Sequence, residues 1–160
     1  PDQRPRWERV LAFAQQQWGG QDVKGLFFLN ASNGSLPMSF VQALLAIGFQ
    51  PIPLSGEAHE KVVDIGIKRT LEAIAGRAGD VMLVSHDGDF AGELATLVED
   101  ESRRTGLIAF REFTSTSLSG GLIAQGLQAF DLEHDVQAFN VSLPRVRIIP
   151  LEQFDPTRYL

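Results

Sequence analysis

Short, unbroken apolar runs that alternate with helix-period segments constrain this chain more than any other feature. "LFFL" (Leu26–Leu29), "VMLV" (Val81–Val84) and "LIAF" (Leu107–Phe110) each lack a polar position. That is the pattern of strands covered on both faces, as in a parallel sheet. Between and around them lie helix signals. Trp7, Val10, Leu11, Ala14 and Trp18 recur at spacings of three and four before Gly19-Gly20, so the first element reads as an amphipathic helix. "SLPMSFVQALLAIG" reads as a second helix with Ser35 as its cap and Gly48 as its stop. "FQPIPLSG" is extended, and Pro51 and Pro53 place it at a sheet edge because proline cannot donate to a ladder. Val63, Ile67, Leu71 and Ile74 mark a third helix closed by Gly76 and Gly79, and "FAGELATLVEDESRR" is a fourth with Leu94, Leu97 and Val98 inward. "SGGLIAQGLQAFDLEHDVQAF" holds one or two short helices, and "VRIIPL" is expected as the last strand.

This alternation predicts an α/β domain with a mostly parallel sheet. No repeat or linker divides the 160 residues, which suit a single domain spanning 1–160. The absence of cysteine excludes disulfides, thiolate catalysis and cysteine-based zinc sites. No apolar run approaches the roughly 20 residues that span a bilayer, and "PDQRPRWERV" has no apolar leader core, so the expected location is cytoplasmic, without membrane contact. A formal charge of −6 argues against a broad basic surface holding nucleic acid, although 14 Lys and Arg residues can form one local patch.

The chemistry concentrates in "VMLVSHDGDF", where Asp87 and Asp89 follow the strand ending at Val84. In an open parallel sheet, ligands gather beyond the carboxyl ends of the strands. Two carboxylates this close repel unless a cation offsets them, and an all-oxygen pair suits Mg²⁺ or Mn²⁺. The same residues also read as a solvated turn, with Asp89 capping the following helix. In "HEKVVDIGIKR", Lys61, Asp64 and Lys68 share one helix face. The ordinary alternative there is a surface Asp64–Lys68 pair. His59, His86 and His134 are too scattered for a zinc site, and His86 reads as an exposed loop histidine. No P-loop and no G-x-G-x-x-G after a strand occurs.

Together, "EKVVDIGI" and, some twenty residues on, "DVMLVSHDGDF" resemble the NYN domain family of PIN-like, metal-dependent ribonucleases. The likeness runs more loosely over Gly48-Phe49, the hydroxyl-rich loop after the "TGLIAF" strand, and "RIIPLEQF". It implies a three-layer PIN-like, Rossmann-like domain in which Asp64, Asp87 and Asp89 line a catalytic Mg²⁺ or Mn²⁺ pocket. Lys61 would lie beside it, near substrate phosphate. Ser85 would hydrogen-bond within the loop, and Phe90 would pack beneath it. Family members open on a strand ending in a further aspartate, and no such strand precedes the first helix here. A central strand and one acidic ligand are therefore expected upstream of Pro1.

The expected function is hydrolysis of RNA phosphodiester bonds, a metal-activated water being the nucleophile. Lys61, Lys68 and Arg69 are the nearest basic side chains for substrate, with Arg111 and Phe113–Ser119 as further candidates or as a plain polar loop. The alternative is a weak or inactive NYN-like module that binds RNA or a protein, including a second copy of itself. A phosphotransfer enzyme of the haloacid dehalogenase type ranks below both, because its D-x-D follows the first strand.

Overall fold

The computed structural model describes residues 4–19, 22–110, 116–144 and 148–160, apart from the side chains of residues 116–120. Among them, helices and strands alternate: α1 (Trp7–Gln17), β1 (Gly25–Asn30), α2 (Met38–Ile47), β2 (Phe49–Leu54), α3 (Val62–Ala75), β3 (Val81–Val84), α4 (Ala91–Glu99), β4 (Thr105–Ala109), α5 (Thr116–Gln125) and β5 (Gln128–Asp131). Every strand pair is parallel, as the apolar runs predict. The strands form two sheets, β1-β2 and β3-β4-β5, with no ladder between β1 and β3.

Helices cover both faces and give three layers. On one face, Phe27 of β1 meets Trp7 of α1 and Phe40 of α2 edge-on, at 5.0 and 5.4 Å between ring centroids. Val10 of α1 joins Ile108 of β4, with Met82 of β3 and Phe130 of β5 packed alongside. On the other face, Leu71 of α3, Leu94 and Leu97 of α4 and Leu122 of α5 bury Val81, Leu83 and Leu107. Alternate residues of β3 and β4 thus point to opposite layers, as the period-2 pleat requires.

Two helices span both sheets. α1 reaches β1 through Trp7 and β3-β4-β5 through Val10. α3 does the same on the opposite face: Leu71 joins the β3 cluster, while a Cβ at Gly66 would run into Leu54 and lie 3.3 Å from Phe28. A side chain at this turn of α3 would require Leu54 to shift, so glycine eases the close approach to the β1-β2 sheet.

Several expectations change in the structure. Ser35 does not cap α2: the helix begins at Met38 after Pro37, and the Ser35 N–H donates instead to Asn33 Oδ1 at 3.1 Å. Among the described residues the last strand is β5, inside the segment expected to hold one or two short helices. Both ends of "QAFD" are polar and hide it from a search for apolar runs: Gln128 Oε1 accepts from Trp18 Nε1 at 3.1 Å, and buried Asp131 accepts the N–H of His134 at 2.8 Å. Residues 148–150 form no strand and Ile148 is 90% exposed, while Arg145–Arg147 lie outside the described residues. β1, expected to be covered on both faces, is only half-buried, and among the described residues it pairs with β2 alone.

Gly48 ends α2 as expected, with φ of 114° and its N–H donating to Leu44 O. Gly48→Ala should lower stability by about 1–2 kcal/mol, the cost of a side chain at positive φ. Urea unfolding checks this, and an unchanged midpoint would contradict it. Among the described residues, no helix is long and apolar enough to cross a membrane.

Candidate functional site

The acidic loop leaves the carboxyl end of β3. The Ser85 N–H donates to Ile108 O at 3.2 Å, so the chain follows β4 for one residue past the strand. Ser85 Oγ then accepts the Asp87 N–H at 3.0 Å, and Asp87 Oδ1 accepts the Asp89 N–H at 2.8 Å. These bonds close a 3₁₀ turn, Gly88–Phe90, that leads into α4. Phe90, 1% exposed, anchors the turn in the core below. Ser85 and Phe90 thus occupy the positions expected of them. The capping role read for Asp89 belongs to Asp87, whose carboxylate sits at the N-cap.

Local hydrogen bonding engages one carboxylate oxygen of the pair. Neither Asp87 Oδ2 nor the exposed Asp89 carboxylate has a hydrogen bond or ion pair with the described residues. The loop therefore presents oxygen donors outward from a fixed backbone.

His86 fixes that backbone from the side. Its Nε2 accepts the Phe110 N–H at 2.7 Å, and its ring stacks on Phe110 with centroids 5.6 Å apart and 10° between planes. Phe110 in turn stacks on Phe139. His86 is exposed, as expected, and it also ties the acidic loop to the end of β4. No spacing rule would have found this contact, because 24 residues separate its partners.

Partial burial lowers the His86 pKa from its usual 6.5, and the Phe110 bond needs the neutral ring. With the folded value below the unfolded one, His86 contributes its full stabilisation above pH 6.5 and loses it as pH falls through the folded pKa. Imidazole titration by NMR should give a midpoint under 6.5, and His86→Phe should flatten the acid side of the stability profile. A midpoint above 6.5 would contradict the neutral, bonded ring.

Asp64 lies in the first turn of α3, half-buried and without a hydrogen bond or ion pair among the described residues. This helix end follows β2 and so shares the carboxyl edge with the loop. Even so, among the described residues no three His, Asp or Glu side chains come together as a metal-holding group. The Asp89 N–H donates to Asp87 Oδ1 and so links the two aspartates of the loop. Lys61 is exposed just before α3, and Arg69 is exposed within it. Lys68 Nζ lies 4.0 Å from Glu93 Oε1 of α4, so the Asp64–Lys68 alternative is not formed. Arg111 and Phe113–Ser115 lie outside the described residues, as do the side chains of Thr116–Ser119.

A further carboxylate lies at the same edge. Asp131, 1% exposed, ends β5 and accepts the N–H groups of Glu133 and His134 at 3.2 and 2.8 Å. It organises the turn after β5. The D-x-x-H-D spacing from Asp131 to Asp135 is the signal that could have revealed it, since Asp135 Oδ2 accepts the Asp131 N–H in return.

Fold and loop define a three-layer α/β domain with parallel strands and an acidic turn at the sheet's carboxyl edge. No family model matches the chain, and no curated protein matches it. Among solved structures, it is similar to a protein of unknown function from Vibrio parahaemolyticus, with 21% identity over 80% of each chain and a TM-score of 0.61. That likeness is one of fold.

Proposed function

We propose that this chain is a metal-dependent ribonuclease whose site is built around Asp87 and Asp89. The observation that carries this reading is a pair of carboxylates, fixed by the Ser85–Asp87–Asp89 hydrogen bonds, with three of their four oxygens unengaged by the described residues at the carboxyl edge. The resemblance of "EKVVDIGI" and "DVMLVSHDGDF" to the NYN family supports it. The donor chemistry fits Mg²⁺ or Mn²⁺, which are held through one or two carboxylates together with water and substrate phosphate. When bound, such an ion supplies Lewis-acid stabilisation and an activated water. Asp87 and Asp89 would hold it, and Asp64 would reach the site from α3. Lys61 and Arg69, exposed and without an ion pair among the described residues, would attract the RNA backbone, while Lys68 is partly neutralised by Glu93.

The second reading is an RNA- or protein-binding module without turnover. One experiment discriminates. Mn²⁺ binding is measured by paramagnetic resonance, and cleavage of labelled single-stranded RNA is followed in the same samples. Cleavage that tracks Mn²⁺ occupancy supports the nuclease. RNA binding without cleavage at saturating Mn²⁺ supports the module, and neither binding nor cleavage overturns both.

A further inference from the structure

One face of α1 and the segment after β5 enclose a groove of about 620 Å³, within the roughly 300–1,000 Å³ of clefts that hold small ligands. Arg9, Phe13 and Gln16 line it from α1, and Asp135, Gln137 and Phe139 from the other wall. The α1 residues follow at spacings of four and three, so they share one helix face. The groove reaches the carboxyl edge of the sheet, because the Arg6 N–H, just before α1, donates to Ala138 O beyond the end of β5.

Stacked rings connect this groove to the acidic loop. His86 stacks on Phe110 at 5.6 Å between centroids, and Phe110 stacks on Phe139 at 5.7 Å. His86 precedes Asp87 in the chain, and Phe139 is part of the groove wall. The groove therefore begins two ring spacings from the acidic turn. A base laid against Phe139 would extend a stack already built, and stacking on aromatic faces is how single-stranded nucleic acid is held.

Arg9 supplies the charge. Its guanidinium is fixed by Gln137 O and Phe139 O, each at 3.2 Å, and by Asn140 Oδ1 at 2.8 Å, all neutral acceptors. It forms no ion pair with the described residues, so its charge is uncompensated by them. Two of the five N–H donors of an arginine stay unengaged, which suits a phosphate. The backbone is strained where it holds this side chain. Among the described non-glycine residues Gln137 alone has a positive φ, 56°, and its carbonyl is one of those that fix Arg9. Strain of this kind concentrates at ligand sites. The Asp135 carboxylate repels phosphate and leaves Arg9 as the groove's anchor for it.

We infer that this groove is a subsite for one nucleotide of single-stranded RNA, with Arg9 on a phosphate and Phe139 under the base. It flanks the phosphate that meets Asp87 and Asp89. The inference rests on the proposal that the chain takes RNA, and it gives the strand a path from the acidic loop across Phe139 to α1.

Binding of a short labelled single-stranded RNA, measured without divalent metal, tests the subsite in the parent, Arg9→Gln, Phe139→Leu and Gln16→Glu. Leucine keeps most of the apolar volume of Phe139 and loses the stacking face, while Gln16→Glu sets a negative charge in the groove at an exposed position. The first two variants should each weaken binding about fivefold or more, the low end of one base–aromatic stack. Gln16→Glu should weaken it as well, with the circular dichroism of the parent. The Gln137 and Phe139 amide resonances should shift as the RNA is added. Parent-like RNA affinity in Phe139→Leu and Gln16→Glu, with no shift at those amides, would overturn the subsite and leave the ribonuclease reading to its own cleavage assay. Binding weakened by the variants, without cleavage at saturating Mn²⁺, would support the subsite and remove the nuclease. No RNA binding at all would overturn both. Shifts at Gln137 and Phe139 that follow protein concentration and ignore RNA would overturn the subsite in favour of a contact between copies of the chain.

Discussion

Asp87→Asn should lower metal-dependent RNA cleavage by about 100-fold or more, the scale on which losing one preorganised electrostatic partner slows an enzyme. Asparagine is chosen because it separates two roles of this side chain. Its carbonyl oxygen can still accept the Asp89 N–H that Asp87 Oδ1 accepts at 2.8 Å, so the cap and the turn survive. What disappears is the charge on the oxygen facing outward. Melting temperature and circular dichroism should match the parent, and Mn²⁺ affinity should fall with the rate. Asp87→Ala removes cap and charge together, and should add a stability loss of about 1 kcal/mol. Parent-like cleavage by the asparagine variant would remove Asp87 from the site and favour a binding module.

Phe90→Ala should cost about 3–5 kcal/mol of folding stability, a large share of the roughly 5–15 kcal/mol typical of a domain. The ring is 1% exposed and packs with Leu71, Val81, Leu83, Leu94, Leu97, Leu107 and Leu122. Truncation loses its transfer free energy and leaves a cavity between α3, α4 and the sheet. It also removes the anchor of the turn carrying Asp87 and Asp89. Urea denaturation measures the loss, and Phe90→Leu, which keeps much of the apolar volume, should lose less. A cost under about 1 kcal/mol for the alanine variant would mean that the core closes over the gap.

His86 shows how far local reasoning reached into this site. The sequence places it between a strand and two aspartates, and nothing in it points to a partner 24 residues away. Its partner is the backbone N–H of Phe110, brought close because β3 pairs with β4. Asp131 was missed for a related reason. Its value lies in burial and in two backbone donors, neither of which leaves a periodic trace. Helix spacing pairs Lys68 with Asp64, but α4 presents Glu93 to it instead.

The parallel strands, the helices on both faces and the stop at Gly48 were legible from the sequence, because apolar period and turn chemistry are local properties of a chain. So was the delivery of Asp87 and Asp89 to a strand's carboxyl end. Tertiary structure alone decided that "QAFD" is a strand while "IIP" is not, that His86 bolts the acidic loop to β4, and that α1 and α3 each span both sheets. Each of these depends on which backbone edges and side chains meet across long separations, and pairing of that kind is fixed by packing and not by composition or period.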